Sequence, residues 1–505
     1  MTPDLPPPRL AWSFLKRALL AGMAIVLLSA GAVSAAGLLT ADELIDEVNR
    51  QGRVAIPIPE DEIDRAEAGE AQTLMLLGTD GRYGDKERAR ADTILLVRLD
   101  PDKDAIAITS IPRDLQVDIP GYGRDKINAA YNLGGARLTL KTVKQTLSTP
   151  GRPFRVNHVA EMDFGDFQRV INYLGCVYVD VDRDYFNDNS NGTNYATIDI
   201  DPGYQKLCGQ DSLDYVRYRH GDNDLIRGAR QQDFLRQVRS QAGVRRLLTW
   251  DARFDVARLV GRYTRRSASL RDRQGVLGLL RLLVYTADQP VNEVRFRNHP
   301  AEDNVNLEAS ERELRATVRE FEAVRASRRP RTTPKATERD RETARLRARK
   351  PRKAASVPGL EVADREGEDQ AILAGTRAKM PFYFPSVRTR GAAYDGEEPW
   401  IYRIRDEKRR LRPAYRLVVH TSSEQYFGEY YGIQGTTWRD PPILDNPSET
   451  ITRNGRKLQL YYDGRRLRLV AWRTSRGAYW VSNTLTQRLD ERQMIAIAAS
   501  LRRLR

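Results

Sequence analysis

The sequence predicts an α/β (α+β) sandwich, a central mixed sheet flanked by helices, followed by a smaller antiparallel α+β domain at the carboxyl end. Three observations predict it. Between residues 71 and 298 short β-branched runs alternate with helical segments, the order that stacks helices on a sheet. Between residues 325 and 357 more than a third of the positions are Lys or Arg and almost nothing is large and apolar, which divides the chain. Beyond it, Asn454-Gly455 and Asp463-Gly464 are the strongest hairpin signals in the chain and sit among aromatic and β-branched runs.

The 505 residues suffice for two or three domains, each with its own core. Residues 1–17 read as a cytoplasmic tail. Residues 18–39 carry no charge, follow Lys16-Arg17 and precede Asp42, Glu43, Asp46 and Glu47. About 20 apolar residues span a bilayer, and the positive flank stays in the cytoplasm. The reading is a signal-anchor helix of a single-pass cell-membrane protein, with the rest extracytoplasmic; a signal peptide cleaved near Ala30-Gly31-Ala32 is the alternative, and it exports the rest equally. Residues 40–70 are acidic and contain Ile-Pro-Ile-Pro at 56–59, which reads as a short helix and an extended stalk.

In the 71–298 domain, residues 72–78, 93–99 and 105–110 read as strands, with Asp100-Pro101-Asp102 turning the last two into a hairpin. Residues 127–131 and 137–147 read as helices divided by Gly134-Gly135, and 164–174 as a helix capped by Asp163. Residues 177–181 return as a strand. Residues 215–219 read as a strand with Arg217 and Arg219 on one face, leading through Asp222 and Asp224 into a helix near Arg227, where Arg227, Arg230 and Gln231 share a face. Residues 299–324 read as a helical extension and 325–357 as a basic disordered linker. In the 358–505 domain, strands are expected at 415–420, 425–438, 450–452, 458–462, 467–472 and 478–484, and a helix at 490–501. No catalytic constellation stands out there, and the reading is an accessory binding module.

The chemistry gathers in three clusters. Gly78-Thr79-Asp80 accompanies Arg90-Ala91-Asp92-Thr93; Ser110-Ile111-Pro112-Arg113-Asp114 follows; Arg217-Tyr218-Arg219 runs on through Asp222, Asp224, Arg227, Arg230 and Gln231. Guanidinium forks match phosphate oxygens, and paired carboxylates carry a divalent cation bridging the same anion. Such a site can move a phosphoryl group by positioning and charge alone, without His or Cys. For any single Arg–Asp pair, a solvated surface ion pair is the alternative.

In this order the clusters resemble the LytR-CpsA-Psr family of cell-envelope glycopolymer transferases. The likeness is carried by Ala89-Arg90-Ala91-Asp92-Thr93-Ile94, Ser110-Ile111-Pro112-Arg113-Asp114, Lys126-Ile127-Asn128-Ala129-Ala130-Tyr131 and Arg227-Gly228-Ala229-Arg230-Gln231-Gln232. It departs at Ile226 and at Gly175-Cys176, where many members have glycine. The resemblance implies a membrane-anchored enzyme that moves a glycopolymer, such as a teichoic acid, from a polyprenyl-diphosphate carrier to peptidoglycan through a phosphodiester link. It also implies a sandwich that encloses a tunnel for the polyprenyl tail. Matched motif to motif, Asp80 and Asp92 would hold Mg²⁺ (or Mn²⁺), and Arg90, Arg113, Arg217, Arg219, Arg227 and Gln231 would bind the diphosphate. Lys126 is a further head-group contact. Asp224 either orients the arginines or takes part in proton transfer, with Arg113 and Arg90 as its catalytic partners. Arg82 and Arg230 stand behind these.

The net charge of +15 implies an anionic partner. Export argues against nucleic acid, and no basic recognition helix precedes the apolar run. Two other readings use the same residues or none: a polyprenyl-diphosphate phosphatase with water as acceptor, and a membrane-anchored regulator or polymer-binding scaffold. Cys176 and Cys208 are the only cysteines. Export favours a disulfide between them, and two buried thiols are the alternative.

Overall fold

The computed structural model describes residues 55–80, 90–103, 105–190, 196–218, 224–241, 291–301, 306–323, 357–363, 377–421 and 429–504, isolated positions excepted, with scattered residues at 43–50, 258–275 and 368–372. The expected tail and apolar span (1–39), the linker to residue 356, and Arg82, Arg219 and Asp222 lie outside the described residues. Among the described residues no helix is long and apolar enough to cross a membrane.

The amino-terminal domain begins with β1 (Gln72–Thr79), β2 (Ala91–Asp100), β3 (Ala105–Ile111) and the hairpin of β4 (Gln116–Ile119) and β5 (Gly123–Lys126). Then come α1 (Ala129–Leu147), β6 (His158–Asp163), α2 (Phe164–Tyr173), β7 (Val177–Val181), β8 (Tyr185–Asn187), β9 (Ile198–Ile200) and β10 (Gly203–Leu207). The domain closes with α3 (Gly209–Arg217), α4 (Asp224–Ser240), the short β11 (Arg265–Arg266), β12 (Val291–Glu293) and α5 (Glu311–Ala323). The central sheet has the order β11-β6-β1-β2-β3-β12 and is mixed: β1 is antiparallel to β2 and parallel to β6, while β3 is antiparallel to β2 and parallel to β12.

Alternation along β2 explains the sandwich. Ile94 and Leu96 join Met75, Leu77, Ala107 and α1 residues Ala130, Leu140 and Val143 in one core. Leu95, Val97 and Leu99 face the other way with Ile106, Ile108 and Leu235 of α4. Gly134 and Gly135 break α1 as expected, with Gly135 at φ 64°, a conformation that favours glycine. Asp163 caps α2 by accepting from Asp166 N at 2.7 Å.

Two expectations change. The stalk is not free-standing from residue 56 on: Ile56, Ile58 and Ile63 are buried in the main core, and Asp64 pairs with Lys144 at 2.7 Å and accepts from Val156 N at 2.8 Å. Apolar residues alternating with proline bury an extended segment as readily as they stiffen an exposed one. Residues 215–217, expected as a strand, end the helix α3. There tertiary packing overrides the β preference of Tyr-Val, because the helix buries Ser212, Leu213, Asp214 and Tyr215.

The carboxyl-terminal domain is the expected antiparallel sheet and helix. Its strands include 400–405, 411–420, 430–436, 449–453, 456–463, 466–474 and 477–482, and α6 (Glu491–Ser500) carries a capping box from Asp490 and Gln493. Two expected strands are displaced: 415–420 begins four residues earlier, and 425–438 narrows to 430–436, with 422–428 outside the described residues.

Candidate active site

Sheet register assembles the site. Gly78 pairs with Thr93, Thr79 with Ala91 across a bulge, Ile94 with Ile111, and Thr79 with Asp163 of the parallel β6. The carboxyl ends of β1, β3 and β6 and the amino end of β2 therefore share one edge, where α/β sheets bind ligands. Asp80, Arg90, Asp92, Arg113 and Phe164 follow from that edge.

There they line a cleft of about 660 Å³ together with Asp114, Asp125, Lys126, Asn128, Asn132, Leu133 and Arg217. Arg113 is 9% exposed and lies between two carboxylates, its Nη1 2.5 Å from Asp92 Oδ1 and its Nε 3.4 Å from Asp114 Oδ2. Lys126 Nζ reaches Asp114 Oδ1 at 3.1 Å. Asp80 Oδ1 accepts from the backbone N–H of Arg90 at 2.6 Å, closing the loop between β1 and β2. The guanidinium of Arg217 lies 5.2 Å from the ring centroid of Phe164. Next to the cleft, burial and the neighbouring Glu161 and Asp80 charges hold the Tyr131 hydroxyl well above its ordinary pKa, so it stays neutral.

The cleft thus brings together six expected residues: Asp80, Arg90, Asp92, Arg113, Lys126 and Arg217. Two others stand behind it. Gln231 does not line the cleft; its Nε2 donates to Thr93 Oγ1 at 3.1 Å and to Val216 O at 3.2 Å, tying α4 to the residue after Asp92 and to the end of α3. Arg227 is buried on α4 and is likewise outside the lining. Asp224 opens α4, and its side chain falls outside the described part. The reason for the shift is α3: with Arg217 closing a helix instead of a strand, the arginines approach from a helix end.

Arg230 is fully buried. Its Nη1 donates to Tyr215 O at 3.2 Å and Tyr218 O at 3.0 Å, and its Nε to the Tyr185 hydroxyl at 3.1 Å. It caps the carboxyl end of α3, as a cation does at a helix terminus. The Cys176–Cys208 disulfide holds the other end, Cys208 being the residue before the helix. Asp114, Asn128 and Phe164 received no role from sequence. Asp114 and Asn128 lie inside the quoted motifs, whereas Phe164 carries no signal beyond its place after a helix cap.

The LytR_cpsA_psr family model matches residues 37–271. The teichoic acid transferase TagT of Bacillus subtilis (strain 168), whose full name is polyisoprenyl-teichoic acid–peptidoglycan teichoic acid transferase, is 30% identical over 261 residues, covering 50% of this chain and 78% of TagT. The chain belongs to this family. A TagU transferase of the same description from Oceanobacillus iheyensis is 32% identical over 181 residues, 34% of this chain and 52% of that protein. Among solved structures, TagT bound to LIIa-WTA is similar with a TM-score of 0.40 and 26% identity, covering 54% of this chain and 98% of that one. The LytR-CpsA-Psr member's matched region ends before the carboxyl-terminal domain.

Asp80 and Asp92 suit Mg²⁺ by donor type: two carboxylates of one cleft are what this cation takes when a phosphate supplies further oxygens. Among the described residues no group of three or more His, Cys, Asp or Glu could hold a metal unaided.

Proposed function

We propose that the protein transfers a glycopolymer from a polyprenyl-diphosphate carrier to peptidoglycan, at the outer face of a membrane in which residues 18–39 anchor it. The observation that carries this reading is the cleft itself: Arg113, Arg90, Arg217 and Lys126 surround one cavity whose carboxylates are Asp80 and Asp92. Family membership and the two teichoic acid transferases among the relatives support it.

Arg113 acts at the centre. Nearly buried and held by Asp92 and Asp114, it presents a fixed fork to the diphosphate without reorganising. Arg217, braced on Phe164, and Arg90 reach the anion from two other sides. Leu133, Ala129 and Phe164 form the apolar part of the lining and face the first isoprene units of the carrier. A hydroxyl of the acceptor sugar attacks the phosphorus bonded to the glycopolymer, the bond to the bridging oxygen breaks, polyprenyl phosphate leaves with the electron pair, and the hydroxyl proton passes to a carboxylate, the role read from the sequence for Asp224. Arg113 and Arg217 take up the charge that builds on that oxygen. Asp80 and Asp92 would hold Mg²⁺, which supplies charge neutralisation on the diphosphate.

The test incubates the full chain in detergent with a polyprenyl-diphosphate saccharide, Mg²⁺ and a peptidoglycan oligomer, and follows products by mass spectrometry. A saccharide-phosphate adduct on the oligomer is expected, reduced at least about tenfold by Arg113→Ala, or about 1.4 kcal/mol of barrier. Free saccharide phosphate without adduct would make the protein a phosphatase. An equally active, folded Arg113→Ala would remove Arg113 from the mechanism.

A further inference from the structure

The carboxyl-terminal domain is seated directly on the elements that carry the arginines. Asp180 of β7 has both oxygens engaged by that domain: Oδ1 accepts from Arg416 Nη1 at 2.6 Å and Oδ2 from Trp480 Nε1 at 3.3 Å. The guanidinium of Arg416 fills the space over Gly432, where a Cβ would lie 2.1 Å from its Cζ, so a larger residue at 432 would displace Arg416 from Asp180. Tyr178 and Tyr204 enter an apolar cluster with Trp438, Ile443 and Trp480 of the other domain. Tyr178 also donates to Arg405 O at 2.8 Å.

From β7 the contacts run to α4. The backbone N–H of Asp180 donates to Gln237 Oε1 at 2.8 Å, and Gln241 accepts from Tyr178 N at 2.9 Å and donates to Tyr178 O at 2.7 Å. The carboxyl-terminal domain also touches α4 directly. Ile226 and Ala229, in its first turns, pack on Leu485, and Arg236 pairs with Asp463 at 2.7 Å. Helix α4 in turn carries Arg230, which caps α3 behind Arg217, and Gln231, which holds Thr93 beside Asp92. Tyr430 adds a third line: Arg183 lies 5.3 Å from its ring centroid and 5.4 Å from that of Tyr218, the residue after Arg217.

We propose that Leu485 and Arg416 of the carboxyl-terminal domain are positioning residues for the diphosphate cleft. They fix α4 at its first turns and at its contact with β7, and through Arg230 and Gln231 they set the distance between Arg217 and the Asp92 corner. The contacts converge on a helix that reaches both sides of the cleft, and a misplacement there separates groups that must reach one anion together. This inference rests on the diphosphate reading of the cleft.

The test titrates the full chain in detergent with geranylgeranyl diphosphate and Mg²⁺ by calorimetry, well below the melting transition of each variant. Leu485→Asp is expected to weaken binding about 3- to 30-fold, the range for residues that act on a site without touching the ligand. Leu485→Met, which keeps the apolar contact on Ile226, should restore wild-type affinity. If the Asp variant fails to fold, Leu485→Ala replaces it, with a loss in the same direction. A folded Leu485→Asp or Leu485→Ala with wild-type affinity would overturn the proposal alone. No binding by the wild type would overturn the diphosphate reading and the proposal with it.

Discussion

Two Asp–Arg pairs of nearly equal length sit in opposite settings in this molecule. Arg113 meets Asp92 at 2.5 Å, and the Asp92 side chain remains 29% exposed at a cleft of about 660 Å³. Arg416 meets Asp180 at 2.6 Å with side chains 1% and 5% exposed, and Trp480 takes the second carboxylate oxygen. The first pair can exchange a carboxylate for a phosphate oxygen. The second has no solvent or ligand that could replace either member. In a chain with 30% charged residues, pairing therefore says little about function, and what separates a binding arginine from a structural one is whether its partner is replaceable.

The most forceful way to break this comparison is to remove one member of the closed pair. Arg416→Met leaves Asp180 as a buried, uncompensated charge and is expected to cost about 3–5 kcal/mol of stability, read by urea denaturation. Adding Asp180→Asn should recover most of it, because the buried net charge disappears while an amide oxygen still accepts from Trp480. The same measurement on Arg113→Ala should show a smaller loss, because the Asp92 carboxylate it leaves behind is 29% exposed and can be hydrated, and Asp114 keeps Lys126. If both single variants unfold alike, the two settings are not distinct.

A smaller effect sharpens the contrast between the ends of α3. The Cys176–Cys208 bond closes a separation of 32 residues and holds the amino end of the helix, while Arg230 holds the carboxyl end behind Arg217. Replacing both cysteines by serine should cost roughly 3.5–4 kcal/mol by the chain-entropy account, seen as a lower melting temperature. Geranylgeranyl diphosphate affinity should fall less than with Leu485→Asp, since the bond acts at the end remote from Arg217. Equal losses of affinity would mean that α3 moves as one rigid piece.

The open site was legible in the sequence and the closed pair was not. Asp80, Arg90, Asp92 and Arg113 lie beside strand ends visible as period-two runs and inside motifs that resemble the family, so their sharing one site was readable, although that Arg113 pairs with Asp92 was not. Asp180 and Arg416 are 236 residues apart and neither neighbourhood carries a motif. Their meeting depends on how two finished domains dock, which local pattern does not encode. Gln231 shows the intermediate case. Its place on the face shared with Arg227 was readable, but the helical form of residues 215–217 was decided by packing, and with it the side of the cleft that Gln231 faces. Ile226, a departure from the family at sequence level, acquires a reason only in Leu485.

Asp182 supplies the mildest test. It lies just beyond β7, buried, with Oδ1 accepting from the Tyr185 hydroxyl at 2.6 Å. Burial pushes its carboxyl above the usual range, although Arg183, the Tyr185 bond, Arg230 and Arg416 all pull it down. A carboxyl raised in the folded state binds its proton more readily there than in the unfolded chain. Stability is then lost as pH rises from the unfolded to the folded pKa, and stays lost above it. Asp182→Asn, which keeps the acceptor without the charge, should therefore match or slightly exceed the wild-type melting temperature at neutral pH. The difference should close on acidification through the folded pKa, as the wild type protonates. A variant that is instead less stable at neutral pH, by a margin that shrinks in acid, would show that the arginines outweigh burial. Asp182 would then belong with Asp180 as a second closed partner, and the charge at the domain contact would be shared among three arginines instead of matched in one pair.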